Sequence, residues 1–137
     1  MVVVCCLFLI IAVFTSCYIF MSKITIYHNP KCKTSRDVLE KIIASGVEPT
    51  VVLYLQNPPS ESELRNLVKL TGESVRKILR QKGTPYEELD LGNPKWSDDE
   101  LIGFIMAHPI LLNRPIVSNG KMARLCRPIE TVLDVLK

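Results

Sequence analysis

Ile24-Thr25-Ile26-Tyr27-His28-Asn29-Pro30-Lys31-Cys32-Lys33-Thr34-Ser35-Arg36 opens the part of the chain whose reading decides the fold. Its first four residues are β-branched or aromatic and predict a strand, which His28-Asn29-Pro30 turns. From Ser35 to Ser45, Val38, Leu39, Ile42 and Ile43 recur at helical spacing, and Gly46 stops the helix. Pro49 then leads into Thr50-Val51-Val52-Leu53-Tyr54-Leu55, a second strand broken by Asn57-Pro58-Pro59. A strand, a covering helix and a second strand make a parallel pair.

Farther along, Ser60 and Glu63 have the spacing of a capping box, in which hydroxyl and carboxylate each satisfy a free amide at a helix start. Leu64, Leu67, Val68 and Leu70 form the apolar face behind it, and Gly72 ends it. Ser74 to Arg80 predicts a shorter helical stretch, whereas Tyr86 to Leu91 fits helix and loop equally. Ser97 and Glu100 repeat the capping box ahead of Leu101, Phe104 and Ile105, and His108-Pro109 closes that helix. Ile116-Val117-Ser118 and Lys121 to Leu125 flank Asn119-Gly120, a hairpin signal in which both turn residues take positive φ. Arg127-Pro128 places proline at the start of a last helix completed by Thr131 to Leu136. The order predicts an α/β fold, a thioredoxin-like mixed β-sheet flanked by helices with an inserted helical segment. No repeat or linker divides residues 21–137, which read as one domain.

Across 137 residues, 47% are hydrophobic and 23% charged, the balance of a globular chain. A formal charge of +3, scattered along the sequence, argues against a nucleic-acid partner. Five cysteines include no C-x-x-C pair, which excludes a zinc ribbon, a dithiol redox centre and a disulfide framework. The chain therefore reads as reduced and intracellular. Residues 1–20 form a hydrophobic segment without a single charge. It is upstream reading frame before a start at Met21, a membrane anchor, or the leader of a lipidated or exported form. As an anchor it is followed by Lys23, Lys31 and Lys33, which would keep the domain cytoplasmic. Membrane contact is expected only through these residues.

The chemistry follows the first strand. Cys32, between a strand end and a helix start, sits where free amides and the helix dipole favour an anion. Such positions lower a thiol pKa from about 8.5 to roughly 3.5–7.5, and the thiolate is the reactive form. Lys31, Lys33 and Arg36 add positive charge nearby, and flanking lysines argue against an inert, deeply buried cysteine. His28 either supports the thiolate or is a polar turn residue. Thr34 and Ser35 read as helix caps or ligand contacts alike. A phosphatase loop of the C-x5-R type is excluded, because Arg36 gives C-x3-R. Ser35 stands where a dithiol oxidoreductase has its second cysteine, so any oxidative turnover needs Cys126 or an external thiol.

Five segments share order and spacing with one family: residues 28–36, 74–80, 85–89, 108–117 and 124–128. Together they resemble the glutaredoxin-linked bacterial arsenate reductases, and the resemblance runs from Met21 essentially to the end. It implies Cys32 as nucleophile, Arg80, Arg114 and Arg127 around the oxyanion, and His28 and Ser35 near the thiolate. It also implies a cis peptide at Pro115. Arsenate is then the substrate, glutathione the co-substrate and glutaredoxin the resolving partner, with no tightly bound cofactor and no metal. By the family's scheme, Cys32 attacks arsenic, glutathione reduces the adduct and glutaredoxin clears the Cys32–glutathione disulfide. Without the resemblance, Arg80 equally well caps a helix end. Cys126 reads as a core residue and Trp96 as rim packing. Relatives often carry a further polar tail beyond the position of Lys137. Two rivals share the fold: a thiol–disulfide exchange protein, and a non-enzymatic polymerase-binding regulator.

Overall fold

A computed structural model of the protein describes residues 23–137. The segment 1–20 lies outside the described residues. Among those described, no helix is long and apolar enough to cross a membrane.

Strand β1 (Thr25–Tyr27) leads through the Cys32 loop into α1 (Lys33–Ala44) and back to β2 (Thr50–Val52). Helices α2 (Glu61–Thr71) and α3 (Asp98–Ala107) follow, then the hairpin β3 (Ile116–Ser118) and β4 (Ala123–Leu125), and finally α4 (Val132–Val135). Among the described residues the sheet has four strands in the order β2-β1-β3-β4. β1 runs parallel to β2 and antiparallel to β3, and β3 is antiparallel to β4. The mixed sheet flanked by helices is the predicted class.

Alternation along the strands divides the core. Ile26 and Val117 join Val38 and Ile42 of α1 and Val132 and Val135 of α4 on one face. Ile116 faces the other side, where Leu64 and Leu67 of α2 and Leu101 and Ile105 of α3 pack. Both capping boxes close as read: Glu63 N–H reaches Ser60 Oγ, Glu100 N–H reaches Ser97 Oγ, and each glutamate returns to its cap amide. Each cap is worth about 1 kcal/mol.

Several elements differ from the reading. β2 ends at Val52, not Leu55, because β1, its neighbour among the described residues, ends at Tyr27. The His28 N–H to Val52 C=O bond (2.9 Å) is the last rung, and the chain then turns with Gln56 N–H donating to Leu53 C=O. Residues 74–80 hold only a 3-10 turn, Val75–Ile78, after which Leu79 bridges to Leu112. Residues 86–91 are turns. The hairpin is present, but its loop spans residues 119–122, and only Gly120 has positive φ. Asn119 instead accepts from the Lys121 and Met122 amides through Oδ1, so its side chain supplies the turn that a left-handed backbone would have made. The final helix begins as a 3-10 turn, Ile129–Thr131, after Pro128. Trp96 packs edge-on to Phe104 at 5.0 Å and donates from Nε1 to Asp90 C=O, a rim position as expected.

Candidate active site

β1 and β2 are parallel, so the loops that leave them emerge on one side of the sheet, where α/β folds place their ligands. Cys32 leaves β1 there as the N-cap of α1. Its amide donates to Asn29 C=O (3.0 Å) and its carbonyl accepts from Arg36 N–H (3.1 Å), which fixes the loop. No carboxylate stands in the first turn of α1 to oppose a negative charge.

Burial by itself would raise the Cys32 thiol pKa. The Ser35 backbone amide, the charges of Arg114 and Arg127 and a hydrogen bond from Arg114 outweigh it, and the pKa is lowered. The sulfur closes no cap hydrogen bond of ordinary geometry, so the Ser35 amide stabilises it as an aligned dipole. Arg127 Nη2 donates to Cys32 Sγ at 3.6 Å, while Arg127 Nε donates to the Arg114 carbonyl at 2.7 Å. The second bond ties the exposed arginine to the buried one's backbone. Arg114 is only 7% exposed, and its Nε and Nη1 have no hydrogen-bond partner among the described residues. Buried charged donors left unmatched are costly, and an oxyanion beside Cys32 would satisfy them.

Behind the thiol, His28 and Ser35 are buried. Asn29 N–H donates to Ser35 Oγ (3.1 Å), and Ser35 Oγ lies 2.7 Å from His28 Nδ1. The hydroxyl thus links the Asn29 amide to the His28 ring, and a serine hydroxyl can both donate and accept. Burial lowers the His28 pKa against the Ser35 contact, and Arg36 lowers it further, so the ring stays neutral. Ser35 thus acts on the sulfur through its backbone, and its side chain braces the turn.

The remaining predicted residues separate. Arg36 Nη1 donates to Pro30 C=O (2.7 Å), and Lys33 pairs with Asp37 at 2.6 Å, so neither aims at the sulfur. Arg80 makes no bond to Cys32; it shares a groove with Arg127. Pro115 follows a cis peptide bond, as does Pro128, which was not anticipated. Cys126 is fully buried, and desolvation pushes its thiol up to about 12, against a Val117 backbone contact. It is a core residue, as read.

One neighbour was missed. Tyr54 is fully buried at the turn after β2, and its hydroxyl donates to Leu112 C=O at 3.4 Å. Burial pushes its pKa to about 12, and the charges of Arg114, Cys32 and Arg127 all reach it. The signal was its place after the second parallel strand, on the same side as Cys32.

A model of the ArsC family matches residues 27–135. The chain belongs to the ArsC family. An Escherichia coli protein called arsenate reductase is 57% identical over 117 residues, 85% of this chain and 83% of that relative. A Rhizobium meliloti arsenate reductase is 54% identical over 113 residues, covering 82% of this chain and 81% of its own. Among solved structures, an arsenate reductase from Vibrio cholerae superposes with a TM-score of 0.79 at 42% identity, covering 82% of this chain and 97% of that one. The whole Cys32 loop and all three candidate arginines of this ArsC-family chain fall inside the matched residues.

The two cysteines of the described domain should differ sharply in reactivity. Iodoacetamide is expected to label Cys32 in the native protein, with a pH midpoint below that of an ordinary thiol. Arg127→Ala should move that midpoint up, since it removes one of the charges that lower it. Peptide mapping should find Cys126 unlabelled until the protein is unfolded. A Cys32 midpoint at or above the ordinary range would contradict the site. The sign carries over to stability: a depressed thiol adds stability at high pH, lost as pH falls through its folded-state value.

Proposed function

We propose that the protein reduces arsenate to arsenite, with Cys32 as nucleophile and with glutathione and glutaredoxin as reductants. The observation that carries the reading is Arg114: a buried guanidinium with unmatched donors, beside a thiol whose pKa is lowered. Arsenate near neutrality is a tetrahedral dianion, and its approach to a thiolate sets like charges together. Arg114 and Arg127 offset that repulsion and donate paired hydrogen bonds to its oxygens. The relatives' names support the same substrate.

The Cys32 sulfur forms a bond to arsenic, and one As–O bond breaks. The departing oxygen leaves as hydroxide, which takes a proton from solvent. A glutathione thiolate then attacks the Cys32 sulfur. The S–As electron pair stays on arsenic, so As(V) becomes As(III) while the two sulfurs are oxidised to a mixed disulfide. Glutaredoxin reduces that disulfide and restores the Cys32 thiolate. Ser35 offers no internal thiol and Cys126 is buried, so resolution falls to outside reductants. His28, Ser35 and Arg36 hold the loop that presents the sulfur. These thiol reductants suit a cytoplasmic compartment.

NADPH consumption in a mixture of glutathione, glutathione reductase and glutaredoxin tests this. It is expected to depend on arsenate, and to stop when either glutathione or glutaredoxin is left out. Glutathione exchange at Cys32 with no arsenate-dependent consumption across neutral pH would favour the thiol-exchange reading instead.

A further inference from the structure

We infer that the groove walled by Leu79, Arg80, Gln81, Lys82 and Asn113, and bordered by Arg127, seats the carboxylates of the thiol co-substrate. The inference rests on the reductase reading above and adds where glutathione lies.

The groove encloses about 420 Å³, within the range that holds a ligand of peptide size. Its wall carries the cations Arg80, Lys82 and Arg127 and no carboxylate. None of the three forms an ion pair among the described residues. A second cleft that Arg127 also lines differs. There Glu73 pairs with Lys77 at 3.3 Å, and Arg124 spends its guanidinium on the Thr71 and Ala123 carbonyls. In the first groove Arg80 and Lys82 have neither an ion pair nor a side-chain hydrogen bond among the described residues.

Its position suits a thiol that must reach Cys32. Arg127 borders the groove and also donates to Cys32 Sγ, so the groove and the reacting sulfur share one side chain. In a tripeptide whose central residue carries the thiol, the chain continues one residue to each side, at roughly 3.5 Å per residue. A thiol that meets Cys32 lies beside Arg127, and the chain that carries it can extend into the groove that Arg127 borders. The backbone of the wall is also fixed in advance. Arg80 N–H donates to Leu111 C=O (2.7 Å), Asn113 N–H donates to Ile78 C=O (2.8 Å), and Thr84 Oγ1 donates to Arg80 C=O (2.7 Å). The backbone of the wall therefore needs little ordering on binding.

Glutathione has two carboxylates and one ammonium group, so it can use this charge, whereas an uncharged thiol cannot. S-methylglutathione, which cannot react, serves as the binding probe. Calorimetry is expected to show that it binds the wild-type protein, more weakly as salt screens the groove. Lys82→Glu should weaken it about tenfold, the sum of an attraction lost and a repulsion gained at an exposed site. Lys82→Arg should retain binding, and the diethyl ester of the probe should bind neither protein. In turnover, Lys82→Glu should raise the KM for glutathione about as much, with no matching rise in the KM for arsenate or in that for 2-mercaptoethanol used as reductant. Absence of binding to wild type, or equal binding by wild type and Lys82→Glu, would overturn the inference. Binding lost with Lys82→Glu in a protein that never reduces arsenate would sink the reductase reading and leave the groove standing.

Discussion

Cys32→Ser is expected to lower arsenate-dependent turnover by at least about a thousandfold, the scale on which removal of an attacking atom acts. A serine hydroxyl at this position stays protonated near neutrality, so the lowered pKa that the loop confers on sulfur finds no counterpart. Cys126 cannot substitute, being fully buried with its thiol pushed up to about 12. Measured at a pH below the folded-state value of the thiol, where the thiolate contributes nothing, stability should move the other way. Cys32 is the N-cap of α1 without a cap hydrogen bond, and serine is among the preferred N-cap residues. The variant is expected to gain on the order of 0.5–1 kcal/mol, seen as a thermal midpoint a few degrees higher. Its backbone bonds to Asn29 and Arg36 involve no side chain and remain. Residual arsenate turnover above about one per cent would place the nucleophile elsewhere. A fall in melting temperature would refute the cap argument alone. Here a helix terminus gives up stability to keep a reactive sulfur at the site.

Arg114→Met should produce the second large effect. Removing a preorganised donor to an oxyanion lowers turnover by about 10²–10³. For a guanidinium with matched partners the same change would also destabilise the fold. Here Nε and Nη1 lack partners, so an apolar side chain of similar length relieves a buried unmatched charge. The thermal midpoint is expected to hold or rise, while the backbone bonds of Arg114 to Asn113 Oδ1 and Arg127 Nε persist. A linked measurement separates binding from packing. Arsenate or sulfate should raise the melting temperature of the wild-type protein and leave that of Arg114→Met unmoved. A variant that melts earlier yet reduces arsenate normally would make Arg114 a structural residue.

Much of the site was legible because its cause is local. A strand, a proline turn, a cysteine and a helix start within one short stretch place a sulfur among free amides, whatever surrounds it. The two capping boxes are equally local, with cap and partner three residues apart. The Asn119-Gly120 hairpin was found for the same reason. Its turn type was not, because an asparagine side chain and a left-handed asparagine backbone are alternative solutions to one geometry. The charges around the loop were legible as a count but not as directions: Lys33 found Asp37 and Arg36 found a carbonyl, both within their own neighbourhood.

The chain by itself determined that a thiol would stand at the mouth of α1, since backbone amides and the helix dipole follow from the order of residues. It also determined the mixed sheet, since a strand–helix–strand opening and a late hairpin permit few other arrangements. Only the tertiary structure decided which guanidiniums meet that thiol. The Arg127–Cys32 contact joins residues 95 apart, and the Tyr54–Leu112 bond joins residues 58 apart. Such contacts depend on how two layers pack and where a long side chain is anchored. Arg127 is held by the Arg114 carbonyl and turned onto the sulfur, while Arg80, next to the Leu79–Leu112 bridge and tied by its amide to Leu111, lines a groove that Arg127 borders.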